Sequence, residues 1–201
     1  MMKKEKNLII VFFLIQNIIH NMGHPVTPSF VTSLGIPDYM FGVFFAAMSF
    51  GLVVGGPIWG SLGDRGNKKL YIALGLLLYS IGQFAFGYVN NEYLMVFFRF
   101  LSGFGVVASI TLYTSHLVEI TNKVERARYL ALIAAATTLG ASLGYYLGGF
   151  IAENPYTQEF FNITNNREIF LIQSIVNLVY ISAFILVFKN TTKHKEKDKR
   201  S

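Results

Sequence analysis

Gly60-Ser61-Leu62-Gly63-Asp64-Arg65-Gly66-Asn67-Lys68-Lys69 joins two long apolar runs, residues 40–62 and 70–88. Each run has about the 20 residues that carry a helix across the hydrocarbon core of a bilayer. Between them, Asn67 is a residue type that tolerates the left-handed backbone of a turn better than most. Arg65, Lys68 and Lys69 hold the loop at a polar surface. Asp64 falls at the end of the first helix, where the partial negative charge of the helix terminus disfavours a carboxylate, so it requires a cationic or helix N-terminal partner. The stretch reads as the hairpin between two membrane helices.

The same pattern repeats along the chain. Of 201 residues, 53% are hydrophobic and 14% are charged, against about a quarter charged in a soluble domain. This excludes a disordered chain and argues against a soluble globular one. Six apolar segments, 8–30, 40–62, 70–88, 93–116, 129–152 and 169–188, contain one Lys, Arg, Asp or Glu between them, Arg99. The expected fold is all-α, with six transmembrane helices in residues 1–188 and a basic tail at 189–201. The connections are short, which leaves no room for a nucleotide-binding domain.

The net charge of +6 is explained by its distribution, without a nucleic-acid partner. Basic residues gather on the cytoplasmic side of membrane spans. With the amino terminus inside, the inner segments hold Lys3, Lys4 and Lys6, then Arg65, Lys68 and Lys69. Lys123, Arg126 and Arg128 follow, then the six bases of the tail, while the outer loops hold Arg167. Both termini are therefore expected in the cytoplasm, and the cell inner membrane is the expected location. Three lysines before Leu8 imitate a secretion signal, but no small-residue cleavage site follows, so a retained first helix is expected. Cysteine is absent, which removes disulfides and thiolate metal sites.

Six spans suggest a three-plus-three inverted repeat, common in secondary transporters. The second span carries Ala47, Gly51 and Gly55 at four-residue spacing, and the fifth carries Gly140, Gly144 and Gly148, with Gly149 beside them. Such small residues line one helix face and admit a close neighbouring backbone, either within the six-span unit or on a partner. The first span is interrupted near its outer end by Gly23, Pro25 and Pro28. Broken helices commonly line transporter substrate sites.

The inner loop resembles the signature loop of the major facilitator superfamily: Gly, three residues, Asp, Arg or Lys, any residue, Gly, then two bases. Gly60, Asp64, Arg65, Lys68 and Lys69 match, and Asn67 takes the place of the second glycine. Arg99-Phe100-Leu101-Ser102-Gly103-Phe104-Gly105 matches the family's fourth-span Arg-x-x-x-Gly-x-Gly. Gly140-x-x-x-Gly144-Tyr145-Tyr146-Leu147-Gly148-Gly149 resembles its antiporters' fifth-span motif, with Tyr145 where that motif has proline. Pro25-Val26-Thr27-Pro28 resembles a first-span motif of the twelve-span drug–proton antiporters.

A lone charge within a span is costly and usually faces a cavity or a partner. Arg99 is thus either a cation at a central cavity or a side chain snorkelling to the outer surface. The spans contain no acid; Asp38 and Glu119 at span edges are the nearest carboxylates and read more simply as solvated ends. Gln16, Asn17, His20 and His24 form a polar face on the first span. Two histidines four apart suggest a metal, but Asn21 stands where a zinc-protease motif needs Glu, and no metal is expected. His116 reads as interfacial. Tyr113 and Tyr145 are candidate cavity aromatics. Gly140-Ala141-Ser142-Leu143-Gly144 formally matches a nucleophile elbow, yet it lies in mid-helix and the last span holds no histidine base. An enzyme is not expected.

The resemblance implies the amino-terminal six-helix half of a major-facilitator fold that exports drugs or other small molecules by alternating access. The proton gradient would drive it with no cofactor. Asp64 and Arg65 would belong to the inner gate, with Gly60, Lys68 and Lys69 in the same loop. Arg99, with Gly103 and Gly105, would serve proton coupling. Gln16, Asn17, His20, Pro25, Pro28, Tyr113 and Tyr145 would border the substrate. Such transporters need about twelve spans, so a second six-span half is implied, as a separate chain or by homodimerisation. The alternative is a truncated or non-transporting membrane subunit that pairs with a partner protein.

Overall fold

The computed structural model describes residues 2–188; the basic tail assigned to 189–201 lies outside the described residues. The described residues form eight helices: α1 (Met2–Asn21), α2 (Thr27–Ser33), α3 (Tyr39–Asp64), α4 (Lys68–Tyr88), α5 (Glu92–Ile120), α6 (Lys123–Glu153), α7 (Pro155–Phe161) and α8 (Arg167–Val187). Five of them, α3, α4, α5, α6 and α8, are long and apolar enough to cross a membrane. The ends of α5 and α6 follow local chemistry. Asn91 and Asn122 precede them, and each side-chain carbonyl accepts a hydrogen bond from the first turn, from the Leu94 and Glu125 amides respectively, as preferred N-caps do.

The segment expected as one span, 8–30, is two helices. α1 ends at Asn21 and a run of turns leads through Gly23 and Pro25 to α2, which has Pro28 in its first turn. Proline lacks the amide that would continue an α-helical ladder, so helix is restarted beyond the turns and is not continuous. α1 also begins earlier than Leu8, taking Lys4, Glu5 and Lys6 into its first turns. That charge keeps α1 outside the set of five apolar helices. Inside the outer connection 153–168 sits the short helix α7, which the apolar pattern does not mark. Asn154 both ends α6 and caps α7 through the Tyr156 amide.

α5 packs against α3 and α4, α1 against α6, and α4 against α8. Glycine makes two of these seams possible. A Cβ on Gly103 of α5 would lie 1.9 Å from the Met48 carbonyl oxygen of α3, and one on Gly148 of α6 would lie 1.9 Å from that of Met22. Gly140 and Gly144 meet Asn17 and the Ile18 carbonyl in the same seam, and Gly51 and Gly55 meet Phe100 and Phe104. The glycine faces of α3 and α6 are therefore occupied within the bundle. Gly149 faces open space instead. α3 and α6 bury single stripes and expose the rest of their apolar surface, including Phe50, Val53 and Tyr146.

Among the described residues the core forms four clusters, of which the two largest lie end to end. One, at the end carrying the Asp64 loop, joins Ile9, Phe12, Phe13, Leu112, Tyr113 and Phe184. The other joins Phe30, Phe44, Phe86, Met95, Ile169 and Phe170 around the start of α2. The polar side chains described next lie where the α1–α2 break meets α4, α5 and α8.

Candidate functional site

A helix that stops in mid-bundle leaves its last carbonyls without intrahelical donors. At the α1 end these are supplied from α4 and α8. Gln173 Nε2 of α8 donates to the Ile19 and His20 carbonyls at 2.6 and 2.9 Å. Tyr79 of α4 donates to the His20 carbonyl at 3.2 Å. Gln173 reaches this position because residue 23 is glycine: a Cβ there would lie 2.6 Å from Gln173 Oε1. Thr27, the first residue of α2, donates to the Gly23 carbonyl at 2.7 Å and so closes the break from its other side.

Arg99 is wired into this assembly. Its Nη2 donates to Thr27 Oγ1 at 2.9 Å and its Nη1 to Gln83 Oε1 at 3.1 Å. Gln83 Nε2 donates in turn to Tyr79 and to Gln173 Oε1, at 3.0 and 3.1 Å. The guanidinium lies 3.7 Å from the Phe86 ring centroid and 5.4 Å from that of Phe170. Arg99 is 1% exposed, so it does not snorkel, and it has no acidic partner among the described residues: its hydrogen-bonding neighbours there are all neutral. Its charge is balanced by amide and hydroxyl dipoles and by two aromatic faces, and a cation over a desolvated ring gains about 2 kcal/mol. A buried charge held this way fixes the relative positions of α2, α4, α5 and α8 around one group.

The polar face of α1 borders the same region. The His20 and His24 rings stand edge-on with centroids 5.4 Å apart, His20 against Tyr79 and His24 against Phe45 and Tyr145. Among the described residues neither Nδ1 has a hydrogen-bond partner, and neither amide atom of the buried Gln16 has one. Asn17 instead donates to the Phe13 carbonyl at 2.9 Å. Tyr145 is exposed. Tyr113 differs: it is fully buried in the core, hydrogen-bonded to Tyr180 at 2.7 Å, so it does not open onto the face that Tyr145 lines. Pro25 and Pro28 are exposed residues of the break and of α2.

At the opposite end, the Asp64 loop turns through two left-handed residues, Gly66 at φ 109° and Asn67 at φ 58°. Asn67 therefore adopts the backbone expected of a glycine there. Asp64 and Arg65 are exposed. Lys68 pairs with Glu119 at 2.6 Å, so Glu119 is an ion-pair partner of the loop and not a merely solvated helix end. Two further contacts tie α1 to this end, Lys6 to Glu125 at 2.6 Å and Glu5 to His116 at 3.1 Å. Gly60 and Lys69 flank the loop. Gly103 and Gly105 sit in the α5 seams with α3 and α4, where Gly105 faces the Gly75 carbonyl. Ser142 lies within α6 and donates to the Thr138 carbonyl at 2.9 Å, in ordinary helical geometry.

Gln83, Gln173, Thr27 and Tyr79 are the members that the sequence reading did not single out. Neutral polar residues are common in spans, and no spacing rule joins positions from four helices. A usable signal was the lone Arg99, which needs acceptors; Gln83 and Gln173 are glutamines inside apolar segments that can provide them.

The sequence profile described as the Major Facilitator Superfamily matches residues 8–201. The chain is 27% identical over 159 residues to the quinolone resistance protein NorA of Staphylococcus aureus, covering 78% of this chain and 41% of that protein. It is 30% identical over 137 residues to multidrug resistance protein 2 of Bacillus subtilis, covering 68% of this chain and 34% of that protein. A bacterial homolog of the human lysosomal transporter Spinster, solved in an inward-facing and occupied conformation, shares the fold. Its TM-score is 0.77 at 15% identity, over 98% of this chain and 46% of that one. The chain thus spans less than half the length of these proteins. With its apolar helices and its matching motifs, it is a multi-pass membrane protein that belongs to the Major Facilitator Superfamily.

Proposed function

We propose that the chain acts as the amino-terminal half of a proton-driven efflux transporter for drugs or other small molecules. The observation that carries this reading is Arg99, buried without a carboxylate partner among the described residues and bound through Thr27 and Gln83 to the break in the first span. A charge stabilised only by one arrangement of neutral dipoles is sensitive to movement of any helix that supplies them. That sensitivity suits a step in which protonation and helix rearrangement are linked. The names of the staphylococcal and Bacillus relatives support drugs as the substrate class.

In this reading α1 and α2 together form the first of six spans. The two glycine seams, α3 on α5 and α6 on α1, pair the second span with the fourth and the fifth with the first. A three-plus-three repeat would relate them in that way. The end bearing Lys6, Arg65, Lys68, Arg126 and Arg128 is cytoplasmic by the positive-inside rule, in the plasma membrane. Asp64 and Arg65, exposed beside the Lys68–Glu119 pair, serve as an inner gate against a second six-span half, supplied by another chain or by a second copy. The substrate lies along His20, His24 and Tyr145. No cofactor or metal is invoked.

The test is efflux of a fluorescent drug from cells expressing the chain with a complementary second half. Efflux that collapses with a protonophore, and with Asp64→Asn or Arg99→Ala at unchanged membrane abundance, supports the reading. Absence of efflux even when a second half is supplied sinks it and favours the non-transporting subunit.

A further inference from the structure

A partly open polar cavity lies away from the break network, in the seam between α1 and α6 at the basic end of the bundle. It has a volume of about 300 Å³ and is lined by Lys6 and Asn7 of α1 with Glu125, Arg128, Tyr129 and Leu132 of α6. This is at the small end of the roughly 300–1,000 Å³ typical of ligand pockets. Its charges are unequal. Glu125 is committed to Lys6 at 2.6 Å, and the Lys6 ammonium lies 5.3 Å from the Tyr129 ring centroid. Arg128 is exposed and has no ion pair among the described residues, so the lining carries one excess positive charge. The cavity also borders the first turns of α6, whose amino terminus favours an anion.

The surface beyond the cavity is aliphatic. Asn7, Val11 and Ile15 recur at four-residue spacing on α1, so they share one face. On α6, Arg128 and Leu132 are followed on their face by Leu139 and Leu143. Val11, Ile15, Leu132, Leu139 and Leu143 are all exposed. A basic pocket at the membrane interface that continues into an apolar groove matches a molecule with an anionic head and hydrocarbon tails.

We infer that this seam is a binding site for an anionic phospholipid, with its headgroup phosphate against Arg128 and its acyl chains along the α1–α6 groove. Charge complementarity selects the head, and the exposed aliphatic stripe selects a lipid over a soluble phosphate. Basic pockets between membrane helices on the cytoplasmic side hold anionic headgroups in this manner. The site requires neither transport nor a second half. Only its assignment to the inner leaflet rests on the orientation proposed above.

The purified chain would be incubated in detergent with equal amounts of phosphatidylglycerol and phosphatidylcholine of matched acyl chains. Retained lipids would be counted by native mass spectrometry. Phosphatidylglycerol is expected to be retained preferentially. Arg128→Ala should weaken its retention about fivefold, the effect of one basic residue at an anionic surface. Arg128→Lys should restore most of it, and Arg167→Ala at the other end should change nothing. Arg128 is exposed, so these variants keep the fold, which a thermal melt checks. Equal retention of the two lipids, or equal loss in Arg128→Ala and Arg167→Ala, would overturn the site. Displacement of the lipid by inorganic phosphate would assign the cavity to a soluble anion and likewise overturn it.

Discussion

The two ends of the bundle handle charge in opposite ways. Around the Asp64 loop, charged groups meet as ion pairs whose carboxylates are part-exposed: Lys6 with Glu125 and Lys68 with Glu119, their acids at 42% and 31% exposure. At the α1–α2 break the cation Arg99 is 1% exposed and is held by neutral side chains. Lys6 and Lys68 are themselves nearly buried, with side chains 7% and 11% exposed, but each keeps a carboxylate partner that reaches water. Arg99 has neither an acidic partner among the described residues nor a route to water. The loop end is thus suited to opening and closing, and the break to being set in one of a few discrete arrangements.

The sharpest way to break this contrast is at Arg99. Arg99→Ala leaves the buried Gln83 Oε1 and Thr27 Oγ1 without their donor. Thr27 keeps its bond to the Gly23 carbonyl, but one unsatisfied buried acceptor costs roughly 1–3 kcal/mol and the space vacated by the guanidinium adds to it, so stability should fall by about 3 kcal/mol, readable as a thermal shift in detergent. Arg99→Lys should recover little, because one ammonium does not reproduce the fork that spans both acceptors.

A second variant examines the helix seam that carries the break. Gly148→Ala places a methyl against the Met22 carbonyl, at the point where α1 turns toward α2. Overpacking of this kind costs roughly 1–3 kcal/mol. Gly149→Ala, one residue on and facing open space, should be neutral, and equal effects at the two positions would dissolve the seam argument.

Gln173→Leu removes the donor to the Ile19 and His20 carbonyls while keeping the volume close. About 2 kcal/mol should be lost, in the range of unsatisfied buried groups. Hydrogen exchange should accelerate around residues 19–24 and not at the Asp64 loop. The smallest effect is expected for Glu119→Gln, about 1 kcal/mol, because the amide oxygen still accepts from the nearly buried Lys68 ammonium, and it should fade as salt is raised. The Arg99 and Gln173 effects should be indifferent to salt.

Much of this was legible in the sequence. Five long apolar helices followed from charge segregation. The loop motif marked the turn so closely that Asn67 takes the left-handed backbone of the glycine it replaces, and Arg99 stood out as the one charge in an apolar segment. What was hidden depends on tertiary convergence. Gln83 and Gln173 lie 90 residues apart, and nothing local marks them as partners. Tyr113 and Tyr145 look alike in sequence, yet one is sealed in the core and the other is exposed, because the stripe of α5 that bears Tyr113 faces α8. The glycine faces of α3 and α6 fit internal or external packing equally well on spacing alone. Only the close approach of the Met48 and Met22 carbonyls decides between them. α7 escaped notice because seven residues are too few to show a period.

The most direct measurement is proton-driven drug efflux from cells carrying the chain and a complementary second half, compared for wild type, Arg99→Ala and Arg99→Lys at equal membrane abundance. The buried cation at the break, if it couples protons to helix movement, makes efflux protonophore-sensitive in wild type and abolishes it in both variants. Wild-type efflux rates in Arg99→Ala would contradict that role.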